Sequence, residues 1–74
     1  MNANDFKEND LVLYTPAHVH GDRYHPDCER GIVSSRNQES VFVRYYKYGK
    51  YEEVAKSTDP KDLIMLKSAR TYSD

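Results

Sequence analysis

Residues 41–54, VFVRYYKYGKYEEV, constrain the fold more than any other stretch of the chain. β-Branched and aromatic side chains fill 41–48, the content that a pleated, half-buried strand favours. Gly49 then supplies a turn, and 51–56 reads as a further strand returning beside the first. Alternation sets Val41, Val43 and Tyr45 on one face and Phe42, Arg44 and Tyr46 on the other. Each face carries aromatic rings, so alternation leaves open which one is core. Four of the seven tyrosines, Tyr45, Tyr46, Tyr48 and Tyr51, fall within seven positions here.

Around this segment the chain reads as short apolar runs separated by turn signals. Residues 10–15 (DLVLYT) form a first strand closed by Pro16, and 31–35 (GIVSS) a second ended by the polar turn RNQES. Asp59 before Pro60 marks a single helical turn over 58–63, because proline suits the first helical position. A short last strand follows at 64–66. At 74 residues the chain is a single domain. A domain this small hides only about 60% of the surface its unfolded chain exposes, so its core must be thin. Five short strands, a long loop over 16–30 and one short 3-10 turn before the last strand describe an all-β, five-stranded SH3-like barrel. Near-closure of the sheet lets so short a chain cover its edges. The barrel core is expected over about residues 9–67, with both termini frayed.

Composition excludes several classes. No stretch approaches the ~18 apolar residues of a membrane span, and the opening MNANDFKEND has neither the basic nor the apolar region of a secretory signal. The single cysteine, Cys28, allows no intrachain disulfide. A cytoplasmic protein without membrane attachment is the expectation. The net charge of −1 hides an asymmetry. Residues 1–35 carry three basic and six acidic side chains, residues 36–74 eight basic and six acidic. That is short of the basic footprint of a dedicated nucleic-acid binder, although charge can still segregate onto one face.

The segment VRYYKYGKYEEV, with the later Asp62, Leu63 and Leu66, resembles the core of a Tudor domain. Val43, Tyr45, Tyr46, Tyr48, Gly49, Glu52 and Val54 fall in register with that family's strand-turn-strand pattern, and NDLVLY resembles its opening strand. The similarity spans roughly residues 9–66 and implies a Tudor-like barrel. A second resemblance, through HGDRYHPDCERGIV, is to small uncharacterised proteins of phages and prophages, which implies an origin and no activity.

The departures from the Tudor pattern bear on the ligand. Readers of methylated arginine or lysine hold a cation over ring faces. Here Lys47 stands where the family has an aspartate, and Lys50 where it has an asparagine. Each ammonium repels a cationic ligand by roughly 1 kcal/mol at 4 Å even at the dielectric of water. The tyrosines with Arg44, Lys47 and Lys50 instead suit an acidic protein surface, or bases stacked on rings beside phosphate-binding cations. The plain alternative is packing, with Tyr45 and Tyr46 in the sheet and Tyr48 and Tyr51 capping the barrel.

The loop over 16–30 sets His18, His20, His25 and Cys28 within eleven positions. Those residues offer the four nitrogen and sulfur ligands of a structural zinc, and a thin core gains from a staple. Ligand pairs usually come from two separate elements, however. The expectation is an ordinary polar loop without metal or cofactor. There Gly21 and Asp22 turn the chain, Asp27 or Glu29 pairs with Arg23 or Arg30, and Cys28 is a small buried residue. Cys28 beside a histidine lacks an orienting group and an oxyanion site, and no glycine-rich phosphate loop exists, so no enzyme is expected.

The reading that follows is a small non-enzymatic interaction module, monomer or weak homodimer, that binds and modulates a host protein with Tyr46, Tyr48, Tyr51, Arg44, Lys47 and Lys50 and with the loop over 16–30. A nucleic-acid-binding barrel is the alternative. Tyr48 and Tyr51 belong at the exposed tip, Tyr45 deeper in the sheet, with Tyr14 and Val54 approaching it from neighbouring strands.

Overall fold

The computed structural model describes residues 1–69 and is all-β, with no α-helix among them. Six strands run in chain order: β1 (Leu11–Tyr14), β2 (Glu29–Arg36), β3 (Val41–Lys47), β4 (Lys50–Tyr51), β5 (Lys56–Thr58) and β6 (Leu63–Lys67). All pairings are antiparallel, β4-β3-β2-β1-β6 in order, with β5 also on β3. β3 therefore pairs with β2 along one edge, while its other edge is shared by β4 and β5. The sheet is not closed, since β5 and β6 end it on opposite sides without pairing.

The five-strand expectation fails at 51–56. A chain leaving a two-residue turn can follow β3 only while the strands stay parallel to its twist. Here pairing lasts through Tyr46↔Tyr51, breaks, and resumes at Val43↔Lys56, so one expected strand becomes β4 and β5. Val54 lies in the break and is 72% exposed, so it does not approach Tyr45. The turn before the last strand forms at Pro60–Asp62, where the Asp59 carboxylate accepts a hydrogen bond from the Lys61 N–H at 3.0 Å. That is the capping role its position implies. Two further 3-10 turns, Ala3–Asp5 and Ala17–Val19, carry no sequence signal as clear.

The core face of β3 is Val41, Val43 and Tyr45; Phe42 and Arg44 are half-buried and Tyr46 is exposed on the opposite side. Val12, Val33 and Leu63 from β1, β2 and β6 complete the centre. β2 approaches β3 closely at Gly31, where any Cβ would collide with the Val43 side chain. Tyr14 packs against this cluster, its ring edge-on to Tyr45 at 6.0 Å.

The opening residues are not frayed. Ala3 and Phe6 are buried in the core, and Phe6 is fully enclosed. Arg36 holds the segment in place, its Nε donating to the Phe6 carbonyl and its Nη1 to the Asn4 side chain, both at 3.0 Å. The fully buried carboxylate of Asp10 accepts from the Lys7 N–H at 2.8 Å and from the Ala69 N–H at 2.6 Å. A buried carboxylate is tolerable only when hydrogen-bonded, and here that bonding joins the backbone at Lys7 and at Ala69 to the start of β1. The expected fraying of 70–74 lies outside the described residues.

Candidate aromatic recognition site

Lys47 and Lys50 face each other across a two-residue hairpin whose loop is Tyr48 and Gly49. Both loop residues have positive φ, 54° at Tyr48 and 83° at Gly49. This is the conformation of the hairpin turns whose twist matches the strands, and it favours Asn-Gly or Gly-Gly. A tyrosine there meets the steric penalty of the left-handed region, about 1–2 kcal/mol for an ordinary side chain. Its ring repays none of that by burial, because Tyr48 is 102% exposed.

Behind the tip, Tyr46 and Tyr51 are directly paired across β3 and β4 and meet edge to face with centroids 5.1 Å apart. Tyr46 is 38% exposed and Tyr51 half-buried. Arg30 of β2 lies over the Tyr46 ring at 5.6 Å. Arg44 donates through Nε to the Glu52 carbonyl at 2.8 Å, which anchors the chain just beyond β4. The result is a face carrying the Tyr46 and Tyr51 rings with Arg30 and Arg44 beside them, and Tyr48 stands alone at the hairpin tip next to it. Of the six residues read from sequence, Lys47 and Lys50 face elsewhere: they pair across β3 and β4 one position on from Tyr46 and Tyr51, so they point to the opposite face, where the Lys47 ammonium pairs with Glu29 at 3.3 Å. The Glu29 hydrogen bond, then the charges of Glu29 and Glu52, hold the Lys47 pKa above its ordinary value. Arg30 is the member that sequence reading missed, because the β2–β3 register places it there and no local motif does.

A second concave feature lies at the core end of the sheet. Tyr14, Glu29, Tyr45, Lys56, Asp59 and Asp62 line a cleft of about 260 Å³. That is below the ~300–1,000 Å³ of ordinary small-molecule pockets. Burial raises the Tyr45 pKa above 10.0, against the lowering effect of its hydrogen bond with Thr58.

The loop between β1 and β2 departs from every local pairing expected of it. Asp27 lies 2.7 Å from His18 Nε2 and Glu29 pairs with Lys47, so neither carboxylate takes Arg23 or Arg30. Asp22 turns the chain as expected, accepting from the Tyr24 N–H at 3.0 Å. Cys28 is half-buried and donates to the Asp22 carbonyl at 3.3 Å. His20, in left-handed conformation after the second 3-10 turn, is exposed. The four candidate zinc ligands are thus not brought together: His18 and His25 meet, with ring centroids 5.7 Å apart, while His20 and Cys28 are not part of their cluster. No helix among the described residues is long and apolar enough to cross a membrane.

Compared with known proteins, the chain matches no family, no curated protein and no solved structure.

Proposed function

We propose that this chain is a small non-enzymatic interaction module, phage- or prophage-encoded and cytoplasmic, that binds and modulates a host protein. Tyr48, Tyr46 and Tyr51 with Arg30 and Arg44 form its contact surface. The single observation that carries the reading is Tyr48 itself: a large ring, wholly in solvent, held at a positive φ where asparagine or glycine costs less. Folding gains nothing from that arrangement, and backbone strain of this kind concentrates where a site uses it. The two-residue turn fixes where the ring emerges from the backbone. Tyrosine and arginine together are the residues enriched at binding hot spots. The cations on the patch select an acidic partner.

A Tudor-like, SH3-like barrel is the architecture we assign. Support comes from β6 lying beside β1, β5 lying beside β3, and the 3-10 turn between β5 and β6. Recognition of a methylated cation is disfavoured by Arg30 and Arg44 on the same face as the Tyr46 and Tyr51 rings. Nucleic acid is the second reading, favoured by Arg30 beside the exposed Tyr46 ring, a cation next to an aromatic face on which a base can stack. Binding to single-stranded and duplex nucleic acid across a salt series separates the two. Phosphate contacts give a steep fall in affinity with salt, whereas a protein hot spot centred on tyrosine does not. Absence of any nucleic-acid binding, together with a host protein retained in a Tyr48-dependent way, is the expected result.

A further inference from the structure

We infer that His18, His25 and Asp27 form a binding site for a divalent transition-metal ion of the zinc class, with His18 Nε2, His25 Nδ1 and Asp27 Oδ2 as its ligand atoms. These donors come together although the residues span ten positions of the loop, all within 4.8 Å of one another. Asp27 Oδ2 is 2.7 Å from His18 Nε2 and 3.9 Å from His25 Nδ1. Around a tetrahedral ion with bonds of ~2.0–2.1 Å, neighbouring donors stand ~3.3–3.4 Å apart. The two separations straddle that value, and each reaches it by a shift of about 0.6 Å, which exposed side chains accommodate by small χ rotations.

The local chain geometry prepares the donors. Buried Val19 anchors the loop beside His18. Pro26 restricts His25 before it to extended backbone and sets Asp27 two residues on. The Asp27 N–H donates to His25 Nδ1 at 3.0 Å, so that nitrogen is unprotonated, and an ion bound there takes over the lone pair that now accepts this hydrogen bond. His18 Nε2 and Asp27 Oδ2 now share a hydrogen bond at 2.7 Å, which an ion bridging the two atoms would replace. Two imidazoles and one carboxylate suit zinc, cobalt or nickel better than calcium or magnesium, which take oxygen donors.

Three protein ligands leave a fourth position open. His18 and Asp27 border a shallow groove with Tyr14, Pro16, Pro26 and Glu29, so that position faces solvent and is reachable by water or by a donor from another molecule. The ligand set differs from the four residues that sequence spacing suggests, and so does its test. Protein purified without a histidine tag and stripped with chelator is titrated with Zn²⁺ by calorimetry and with Co²⁺ by visible absorption. One equivalent of each is expected to bind, and the Co²⁺ complex is expected to show no intense thiolate charge-transfer band. His18→Ala, His25→Ala and Asp27→Asn should each weaken binding at least about tenfold, since even loss of an outer-sphere partner costs that much. His20→Ala and Cys28→Ser should bind as the parent does. All five variants are compared with the parent by circular dichroism, and folding of each is the expected result because none of the five side chains belongs to the buried core. Failure to saturate at one equivalent overturns the inference. So does loss of binding in Cys28→Ser with retention in Asp27→Asn.

Discussion

The hydroxyl of Tyr45 lies 2.7 Å from the hydroxyl of Thr58, joining β3 to β5 at a buried point where the core ends and the cleft begins. Thr58 Oγ1 also donates to the Lys56 carbonyl at 3.3 Å. The ring fills the space between Tyr14 and the core valines. Tyr45→Ala should therefore cost about 3–5 kcal/mol, as deletion of a large core ring does. Tyr45→Phe keeps the ring and removes only the hydrogen bond, and should cost about 1 kcal/mol. Urea denaturation of both variants checks the ratio; equal losses would place the stabilisation in the hydrogen bond and not in the ring.

Tyr45 also makes stability depend on alkaline pH. Burial raises its folded-state pKa above the 10.0 of an exposed tyrosine. The neutral form is the one the fold favours, so its contribution is complete below pH 10.0 and is lost as pH rises from there through the raised value. The denaturation midpoint should fall over that interval, and more steeply for the parent than for Tyr45→Phe. Identical slopes would mean that Tyr45 ionises as freely in the folded chain as in the unfolded one.

Gly31 stands where β2 crosses the core face of β3. A Cβ there would collide with the Val43 side chain, and would also lie 3.1 Å from the Arg44 carbonyl and 3.2 Å from Tyr45 Cδ1. Val43 is wholly enclosed and has nowhere to move. Gly31→Ala should cost about 1–3 kcal/mol, the range for overpacking a close-packed core. Thermal melts of Gly31→Ala beside Gly21→Ala, whose added Cβ meets nothing within 4 Å, separate crowding from backbone strain.

The strands were legible wherever local residues decide them. β-Branched runs locate β1, β2, β3 and β6 to within two residues, and Asp59-Pro60 locates the turn before β6. Long-range geometry decided the rest. Phe6 is an isolated apolar residue in a polar opening segment, and nothing nearby in sequence says that Arg36, thirty positions away, will bind its carbonyl. The core face of β3 was ambiguous because each side carries a tyrosine; Arg30 resolves it by occupying the outer face against Tyr46. At the hairpin, Gly49 announced a turn and hence the exposure of Tyr48. The pairing of His18 with Asp27 had no such signal, since it depends on the path of a loop that contains no strand.

The most direct test of the recognition surface replaces Tyr48 with the residue its backbone conformation prefers. Tyr48→Asn relieves the left-handed strain at φ 54° and removes the exposed ring, touching no buried contact. Parent and variant, immobilised at equal density, are used to capture proteins from a bacterial host lysate, with bound species quantified by mass spectrometry and melting temperatures measured in parallel. The account predicts a variant that melts at or above the parent's temperature and no longer retains the parent's partner. A variant that holds the same partner equally well, or that melts well below the parent, would show that Tyr48 serves the fold or nothing, and the proposed surface would be withdrawn.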